Sequence, residues 1–362
     1  MITITQTPDL VCLQGLPIVF KATSNMFDEP FFKIMAEPVA GQRELLKLNS
    51  DDEAVFDLRE YFKPELSVEF KQTAFVHENC CRQFMIQFSE YYGNPPVPEA
   101  TTDESINVLL GTVPKWKQHE FRAVYANFAA WLSANIFLSW YPSQPKRVLP
   151  DQPEVLYFIA PSSATYSPAV VITYSDGTTA SHSPSISIAA QTLEVASLPV
   201  GYTALGIAAV NPSKQAVSYT VTIGGKTRSY LVDHTPYNDV RYIIFRTSLG
   251  GYDVLACTGE ADALSERTAK IAERVYDQLA PERISRYAYN IELKEVETVN
   301  TGWLQANEKR WLNDLMISED VWEMLNGVLS PVMIRNSDLD RTERNYEPGT
   351  VEIEYERLNW AQ

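Results

Sequence analysis

The sequence predicts a mainly β protein with tandem β-sandwich domains of the fibronectin or immunoglobulin type and a C-terminal α+β region. Short apolar and β-branched runs recur along the chain with turn residues between them, which is typical of antiparallel sheets. Residues 151–245 carry only six acidic and four basic side chains, whereas residues 260–362 carry 21 acidic and 12 basic ones. A chain of 362 residues is also longer than one ordinary core requires. We therefore expect three regions, at 1–148, 149–240 and 241–362.

Residues 1–148 are expected to form a β-rich domain. Apolar runs at 17–22 and 31–36 flank a turn and predict two strands. Residues 83–88 carry Phe or Ile at every second position, which predicts a half-buried antiparallel strand. Residues 55–62 predict a short amphipathic turn that a proline closes.

Two other segments of this domain are interpreted from proline content and apolar spacing. Residues 92–98 contain three prolines, which remove backbone donors and fix φ, so we expect no regular structure there. Between 120 and 136, apolar side chains recur at helical spacing and predict one helix packed on a sheet, at 120–136. Pro142, Pro145 and Pro150 then indicate a linker.

Residues 149–240 have the clearest strand pattern. Asp176 with Gly177, and Gly224 with Gly225, lie between apolar runs and predict tight hairpin turns, because such turns need positive φ. The Cys…Trp…Cys spacing of a true immunoglobulin domain is missing. Strands are expected at 154–159, 170–174, 186–190, 204–210 and 216–223.

Residues 241–362 are expected to combine strands and helix. Residues 307–316 predict a helix with Trp311, Leu312 and Leu315 facing inward. Apolar spacing between 264 and 279 indicates another helix, with a strand as the alternative. Strands are expected at 242–245, 254–257, 287–294 and 351–356, with a hairpin turn at 248–253.

Charge and cysteine content limit the partners and the compartment. The formal net charge of −16, with no cluster of Lys and Arg, argues against a nucleic-acid partner. Cys12, Cys80, Cys81 and Cys257 form no secreted disulfide framework, so we expect reduced, buried thiols. The N-terminus lacks the pattern of a signal peptide, and no uncharged apolar run approaches the ~20 residues of a membrane span.

Two motifs with chemical potential lack essential residues. Gly224, Gly225 and Lys226 resemble the end of a phosphate-binding loop, but the required earlier glycine is Thr220 and no helix is predicted to follow. A hairpin turn is the favoured interpretation. His77, Cys80 and Cys81 form the one His/Cys cluster, but zinc requires a second pair of ligands, which the sequence does not offer nearby.

An acidic segment near the C-terminus has the oxygen spacing of a calcium loop. The oxygen-bearing residues at positions 1, 3, 5 and 12 are Asn336, Asp338, Asp340 and Glu347. The sixth position, which needs glycine for the sharp turn, is Arg341. A solvated acidic loop is the favoured interpretation, with calcium binding left as the alternative.

The sequence carries no recognisable catalytic constellation. The four histidines, His77, His119, His182 and His234, lie in unrelated contexts, and no Gly-x-Ser-x-Gly motif occurs. Paired carboxylates for glycoside hydrolysis stay open, because their separation is a three-dimensional property. We therefore assign no catalytic, cofactor-binding or metal-binding residue and predict a protein that is not an enzyme.

Clustered aromatic residues are candidates for a binding surface. Tyr91 and Tyr92 precede a proline pair, and Trp140 with Tyr141 precedes Pro142. Such side chains stack on sugars and are favoured at protein interfaces. Ordinary core and loop packing is the alternative, because aromatic side chains also fill cores.

Several phrases, taken in order, resemble virion structural proteins from the tail regions of phages and prophages of Bacteroidetes bacteria. The similarity is spread over most of the chain. The resemblance implies a strand rather than a helix near 264–279, and it carries no catalytic residues. The phrases are PIVF at 17–20, FDL at 56–58 with YF at 61–62, FLSWYP at 137–142, ITYSDGT at 172–178, YIIFRTSLGGYD at 242–253 closing with TG at 258–259, TG at 301–302 and LNDLMISEDVW at 312–322.

This resemblance implies a non-enzymatic virion protein of the tail, baseplate or neck, made in the host bacterial cytoplasm. Its partners would be other virion proteins and copies of itself, assembled as an oligomer, with a host surface glycan as a further candidate. A glycan-binding or adhesion module of the bacterial cell envelope is the alternative from another class. A glycoside hydrolase or its accessory module is a third, weaker hypothesis.

Overall fold

A computed structural model describes residues 2–46, 48–49, 52–273, 286–335 and 349–358. Strands account for 48% of the chain and helices for 12%, so the prediction of a mainly β protein is confirmed. The chain forms two compact units. Unit 1 comprises Met1–His234 and Arg246–Val254, and unit 2 comprises Thr235–Phe245 and Leu255–Gln362.

Residues up to Leu149 contribute ten described strands and four short helical segments to unit 1. The strands are β1 (Ile2–Gln6), β2 (Val11–Leu13), β3 (Val19–Ser24), β4 (Lys33–Val39), β5 (Gln42–Leu46), β6 (Ala54–Asp57), β7 (Phe75–His77), β8 (Cys81–Tyr92), β9 (Val97–Leu109) and β10 (Lys146–Val148). The helices are α1 (Arg59–Phe62), a 3-10 turn (Lys63–Glu65), α2 (Lys115–Val124) and α3 (Phe128–Ala134).

The following segment, as far as Val232, adds eight described strands and one helical turn. They are β11 (Val155–Ile159), β12 (Ala164–Tyr166), β13 (Ala169–Tyr174), β14 (Thr179–His182), β15 (Ile188–Ala190), β16 (Val195–Pro199), α4 (Ile207–Val210), β17 (Ala216–Ile223) and β18 (Lys226–Val232).

The sheets of unit 1 are largely antiparallel. The described strands form sheets of order β1-β3-β6, β2-β9-β8-β4-β5, β10-β18-β17-β13-β14, β11-β16-β7 and β12-β15. Burial alternates along β13 and β17, as expected for a sheet with one covered face, whereas every residue of β11 is buried. The predicted boundary between residues 148 and 149 stays a prediction, although β7 and β10 pair with strands that follow it.

Unit 2 is built on one sheet. The sheet of the described residues has the order β20-β19-β23-β24-β25-β22-β21, and β20 begins within unit 1. The predicted helix at 307–316 and its inward-facing Trp311, Leu312 and Leu315 are confirmed. The elements are β19 (Arg241–Arg246), β20 (Tyr252–Cys257), β21 (Ala261–Glu273), β22 (Arg286–Asn300), α5 (Ala306–Met316), β23 (Val321–Leu325), β24 (Val328–Ile334) and β25 (Glu352–Arg357).

The prediction of one helix at 120–136 is wrong in its extent. Two helices, α2 and α3, occupy this stretch, and the backbone is extended at Tyr125 and Asn127 between them. The Asn127 side chain accepts a hydrogen bond from the amide of Ala130 at 2.9 Å and caps the second helix. The apolar spacing continues across the break between α2 and α3, so the sequence pattern predicted one helix although Asn127 begins a second one.

Three other local predictions are also corrected. The expected helix at 264–279 is a strand, β21, as far as residue 273, and residues 274–279 lie outside the described part of the chain. The expected strand at 204–210 contains the helical turn α4, which follows Gly206 at φ +66°. The loop expected at 92–98 is shorter, because β9 begins at Val97 and includes a proline.

The predicted hairpin at 248–253 forms a buried turn in unit 1. Gly250 has φ +84°, and a Cβ built there would lie 1.9 Å from the Leu110 carbonyl oxygen. The Thr247 hydroxyl donates to the Leu138 carbonyl at 2.8 Å. Only glycine meets both the backbone angle and this close approach, which explains the glycine at position 250.

Unit 1 buries a carboxylate with a single cation. Glu154 accepts hydrogen bonds from the Lys146 ammonium at 2.7 Å and from the Gln152 amide at 2.9 Å. Both charged side chains are less than 10% exposed. Burial raises the pKa of the Glu154 carboxyl above its ordinary value, and the opposing effect of Lys146 does not cancel that rise.

Unit 2 buries two carboxylates in a network. Glu323 accepts from the Arg241 guanidinium at 2.8 Å, the Tyr355 hydroxyl at 2.7 Å and the Arg357 Nε at 2.9 Å. Glu297 contacts the same two arginines at 2.5 and 2.7 Å. Burial would raise the pKa of Glu323, but these hydrogen bonds outweigh it and lower the pKa.

Candidate functional site

The aromatic segment at residues 140–142 lines a cleft of about 380 Å³ in unit 1. We call it the aromatic cleft. Its wall combines residues of α2, α3, the segment that follows α3 and the start of strand β18. The lining residues are Lys117, Glu120, Phe121, Val124, Tyr125, Trp131, Asn135, Phe137, Ser139, Trp140, Tyr141, Pro142, Ser143, Thr227 and Arg228.

Backbone pairing holds the segment after α3 in place. The Ile159 amide donates to the Ile136 carbonyl, and the Leu138 amide donates to the Tyr157 carbonyl, both at 2.9 Å. The Ser139 hydroxyl donates to Asp253 at 2.5 Å. These bonds attach the segment that leads into residues 140–142 to the buried strand β11.

The aromatic rings of the cleft pack against one another. The ring centroids of Trp131 and Trp140 are 5.6 Å apart, and Phe121 meets Trp140 edge-on at 6.3 Å. The Trp140 Nε1 donates to the Ser248 hydroxyl at 2.8 Å, which satisfies its polar atom. The rings are mostly buried and line the cleft, as in apolar small-molecule sites.

Arg228 places a guanidinium at the cleft wall. It lies over the rings of Phe137 and Tyr141, with its Cζ 5.7 and 5.5 Å from their centroids. Its Nη1 donates to the carbonyls of Tyr141 and Pro142 at 3.2 and 3.4 Å. Within the described part of the chain, its Nε and Nη2 donate no hydrogen bond. The guanidinium is therefore oriented, but three of its five N–H donors are unused.

The other polar groups of the cleft are arranged around Asn135. Its amide nitrogen donates to the Tyr125 hydroxyl at 3.1 Å and to the Trp131 carbonyl at 3.2 Å. Lys117 and Glu120 form an ion pair with each other on α2. The Asn135 Oδ1 and the Tyr125 hydroxyl hydrogen have no partner among the described residues, so they remain available to a ligand.

The sequence identified part of this cleft. Trp140, Tyr141 and Pro142 were candidates from their clustering, whereas Arg228 was not. A signal existed, because Arg228 and Tyr230 are two positions apart in β18 and share a face of the strand. Tyr230 is buried. An arginine on the inward face of a strand therefore indicates a candidate binding residue.

A second cavity of about 450 Å³ lies on the other side of the same helix, α2. It shares Phe121 and Tyr125 with the aromatic cleft and otherwise borders the N-terminal strands. Its charged lining side chains are Asp9 and Arg122. It lacks Trp131 and the aromatic residues 140–141, so we do not regard it as the main site.

Unit 2 exposes apolar side chains on a long two-stranded ribbon. β21 and β22 pair from Ala261 to Glu273, but β25 pairs with β22 only over Val296–Asn300. We call residues 264–273 and 286–295 the outer ribbon. On it, the exposed fractions of Ile271 and Ile291 are 69% and 55%.

The sequence candidates for metal and phosphate chemistry stay separate from the cleft. His77 is buried and shares a 3.0 Å hydrogen bond with the Ser197 hydroxyl. Burial lowers the pKa of His77 to about 4. No group of three His, Cys, Asp or Glu residues suited to a metal occurs in the described ranges. The calcium-loop candidate at 336–347 lies outside those ranges.

The glycine pair before Lys226 forms a hairpin turn, as predicted. Gly224 and Gly225 have φ of +54° and +77°, and β17 and β18 pair on either side of them. Lys226 reaches back to the Ser133 carbonyl at 3.4 Å. The turn leads into a strand and not into a helix, so it lacks the helix N-terminus that cradles phosphate.

Within the described residues, no helix combines the length and the apolar character needed to cross a bilayer. No protein-family model matches the sequence, and the chain has no significant match among curated proteins.

Proposed function

We propose that the chain is a non-enzymatic structural component of a phage virion, in the tail, baseplate or neck. It would act by assembly with copies of itself and with other virion proteins, after synthesis in the host bacterial cytoplasm. The single observation that supports this role best is the outer ribbon of unit 2. The resemblance of the sequence to tail-region proteins points in the same direction.

The outer ribbon has the physical properties of an assembly surface. A two-stranded ribbon is marginally stable in water by itself and gains from a covering partner. Its edge presents backbone donors and acceptors that another chain satisfies. Ile271 and Ile291 expose apolar area on the same ribbon, and burying a side chain of this size is worth about 1.5–3 kcal/mol.

The proposed role also accommodates the finer fold. We propose that the strands of residues 149–234 form a sandwich of fibronectin or immunoglobulin type and that the C-terminal region is α+β. Alternating burial in β13 and β17 beside the fully buried β11 supports the sandwich. Helix α5, with its buried Trp311, supports the α+β region.

The test is oligomeric state, measured on the full chain by size-exclusion chromatography with light scattering. The wild type is expected to form an oligomer, and the double variant Ile271→Lys, Ile291→Lys is expected to be monomeric. Val171→Lys, at a 44% exposed position on β13, is the matched control and should assemble normally. A wild type that stays monomeric and is absent from purified virions by mass spectrometry would refute the role.

A glycan-binding or adhesion module of the bacterial cell envelope is the second candidate function. The aromatic cleft favours it, because rings with nearby unused donors and acceptors suit sugars. Binding of the full chain to a sugar array tests this function. Saturable binding that Trp140→Ala abolishes supports it, whereas the absence of any sugar ligand contradicts it.

A further inference from the structure

We infer that the aromatic cleft binds a sugar that carries a carboxylate, and that Arg228 is the residue that holds this carboxylate. The inference rests on the second candidate function, glycan binding, and is independent of the assembly role. It is carried by three features of the cleft: an oriented guanidinium with unused N–H donors, a positive local charge, and a donor and an acceptor without partners.

The guanidinium of Arg228 offers a two-donor fork. Its Nη1 is bound to the carbonyls of Tyr141 and Pro142, which fixes the plane of the group. The Nε and Nη2 form the opposite edge, where two parallel N–H bonds match the two oxygens of a carboxylate. Because the rings of Phe137 and Tyr141 already hold the group, binding costs little side-chain entropy.

The local charge favours an anion. The charged side chains of the lining are Lys117, Glu120 and Arg228, which sum to +1 in a chain of net charge −16. Lys117 is paired with Glu120. Arg228 has no carboxylate partner among the described residues, so its charge is the uncompensated one. An anionic group in the cleft supplies that partner.

The remaining groups point to a sugar rather than to a simple anion. The Tyr125 hydroxyl has a hydrogen to donate and Asn135 Oδ1 has lone pairs to accept, which suits the hydroxyls of a pyranose ring. The apolar side chains of the wall suit its C–H surface. A volume of about 380 Å³ lies within the usual range for small-ligand sites, ~300–1,000 Å³.

The test is isothermal titration calorimetry on the full chain with methyl β-glucuronide, its neutral counterpart methyl β-glucoside, and acetate. We expect saturable binding of the glucuronide, and binding of the glucoside and of acetate that is weaker by about tenfold or more. Arg228→Lys keeps the charge but loses the fork, so it should weaken glucuronide binding by about tenfold. Arg43→Lys, on an exposed hairpin, is the matched control and should bind as the wild type does.

A second variant separates binding from folding. Tyr125→Phe retains the ring but loses the hydroxyl donor, and it should weaken glucuronide binding several-fold with only a small drop in melting temperature, because Asn135 keeps its second acceptor, the Trp131 carbonyl. If the glucoside binds as tightly as the glucuronide, the carboxylate inference is overturned while glycan binding survives. If neither sugar binds, or only acetate does, the inference is overturned, and the absence of any ligand on the sugar array would overturn the glycan-binding function as well.

Discussion

Two buried glutamates, one in each unit, have pKa values that move in opposite directions. Glu154 of unit 1 has one cation and one amide as partners, and burial raises its pKa. Glu323 of unit 2 is also almost inaccessible to solvent, but two guanidinium groups and a phenol donate to it, and its pKa is lowered. Glu154 lies deeper in its unit than Glu323 does, so its deeper burial and its smaller number of charged donors together give the opposite sign.

This difference predicts how strongly each unit is destabilised when a partner of its buried carboxylate is substituted. A buried carboxylate with several charged donors is a fixed anion, and its partners cannot be removed without leaving a buried charge. A buried carboxylate with one cation is close to accepting a proton and can neutralise itself when its partner is lost. Unit 1 is therefore expected to tolerate loss of a partner better than unit 2.

The largest expected effect comes from breaking the network in unit 2. Arg241→Met leaves Glu297 and Glu323 with one arginine between them, and we expect a loss of about 3–5 kcal/mol in the free energy of unfolding. Urea denaturation measures it. Arg335→Met, which removes solvent-screened ion pairs of the same unit, is the control and should change stability little. Equal effects of the two variants would contradict the distinction.

A smaller effect is expected from removing the single cation of unit 1. Lys146→Met should cost about 2 kcal/mol at neutral pH, because Glu154 escapes the full desolvation penalty by taking up a proton. The double variant Lys146→Met, Glu154→Gln should recover most of that loss. A single variant as damaging as Arg241→Met would mean that Glu154 stays ionised and that the comparison fails.

The smallest expected effect is a pH dependence of opposite sign in the two units. The folded pKa of Glu154 lies above its unfolded value, so the wild type should gain stability relative to Glu154→Gln as pH falls from 7 towards 4.5. Each unit of pKa difference is worth about 1.4 kcal/mol. The stabilisation from Glu323 is present above about pH 4.5 and is lost as pH falls through its lowered folded pKa. The urea midpoints of the wild type and of Glu154→Gln are measured across this pH range. If the wild type gains no stability relative to the variant, the raised pKa of Glu154 is excluded.

The sequence predicted elements whose pattern is local and strong. The alternation at 83–88 and the apolar face at 307–316 both correspond to observed elements, β8 and α5. Asn127 was a readable capping residue, but the apolar stripe continued across it, so two helices were predicted as one. Local periodicity thus identified that a helix or strand is present better than it identified where a helix is interrupted.

Elements that depend on distant partners were not predictable in this way. Leu264 and Ile271 have a spacing that fits a helix, yet they lie on β21 because β22 pairs with it along its length. Both side chains are exposed, so the pattern did not record a buried face. The cleft shows the same limit: Trp140 was identified by its neighbours in sequence, whereas Arg228 reaches it from a strand almost ninety residues later.

The four buried cysteines allow transient opening of the fold to be followed by their chemical modification. All four thiols are free and buried, and burial raises the pKa of Cys12, Cys81 and Cys257 to about 12. Because only the thiolate attacks alkylating reagents, a folded molecule reacts slowly and each modification marks a transient opening. Cys257 belongs to unit 2 and the other three to unit 1. Where alkylation is slower than reclosing, peptide masses after timed alkylation therefore give the opening free energy of each unit separately, without any engineered label.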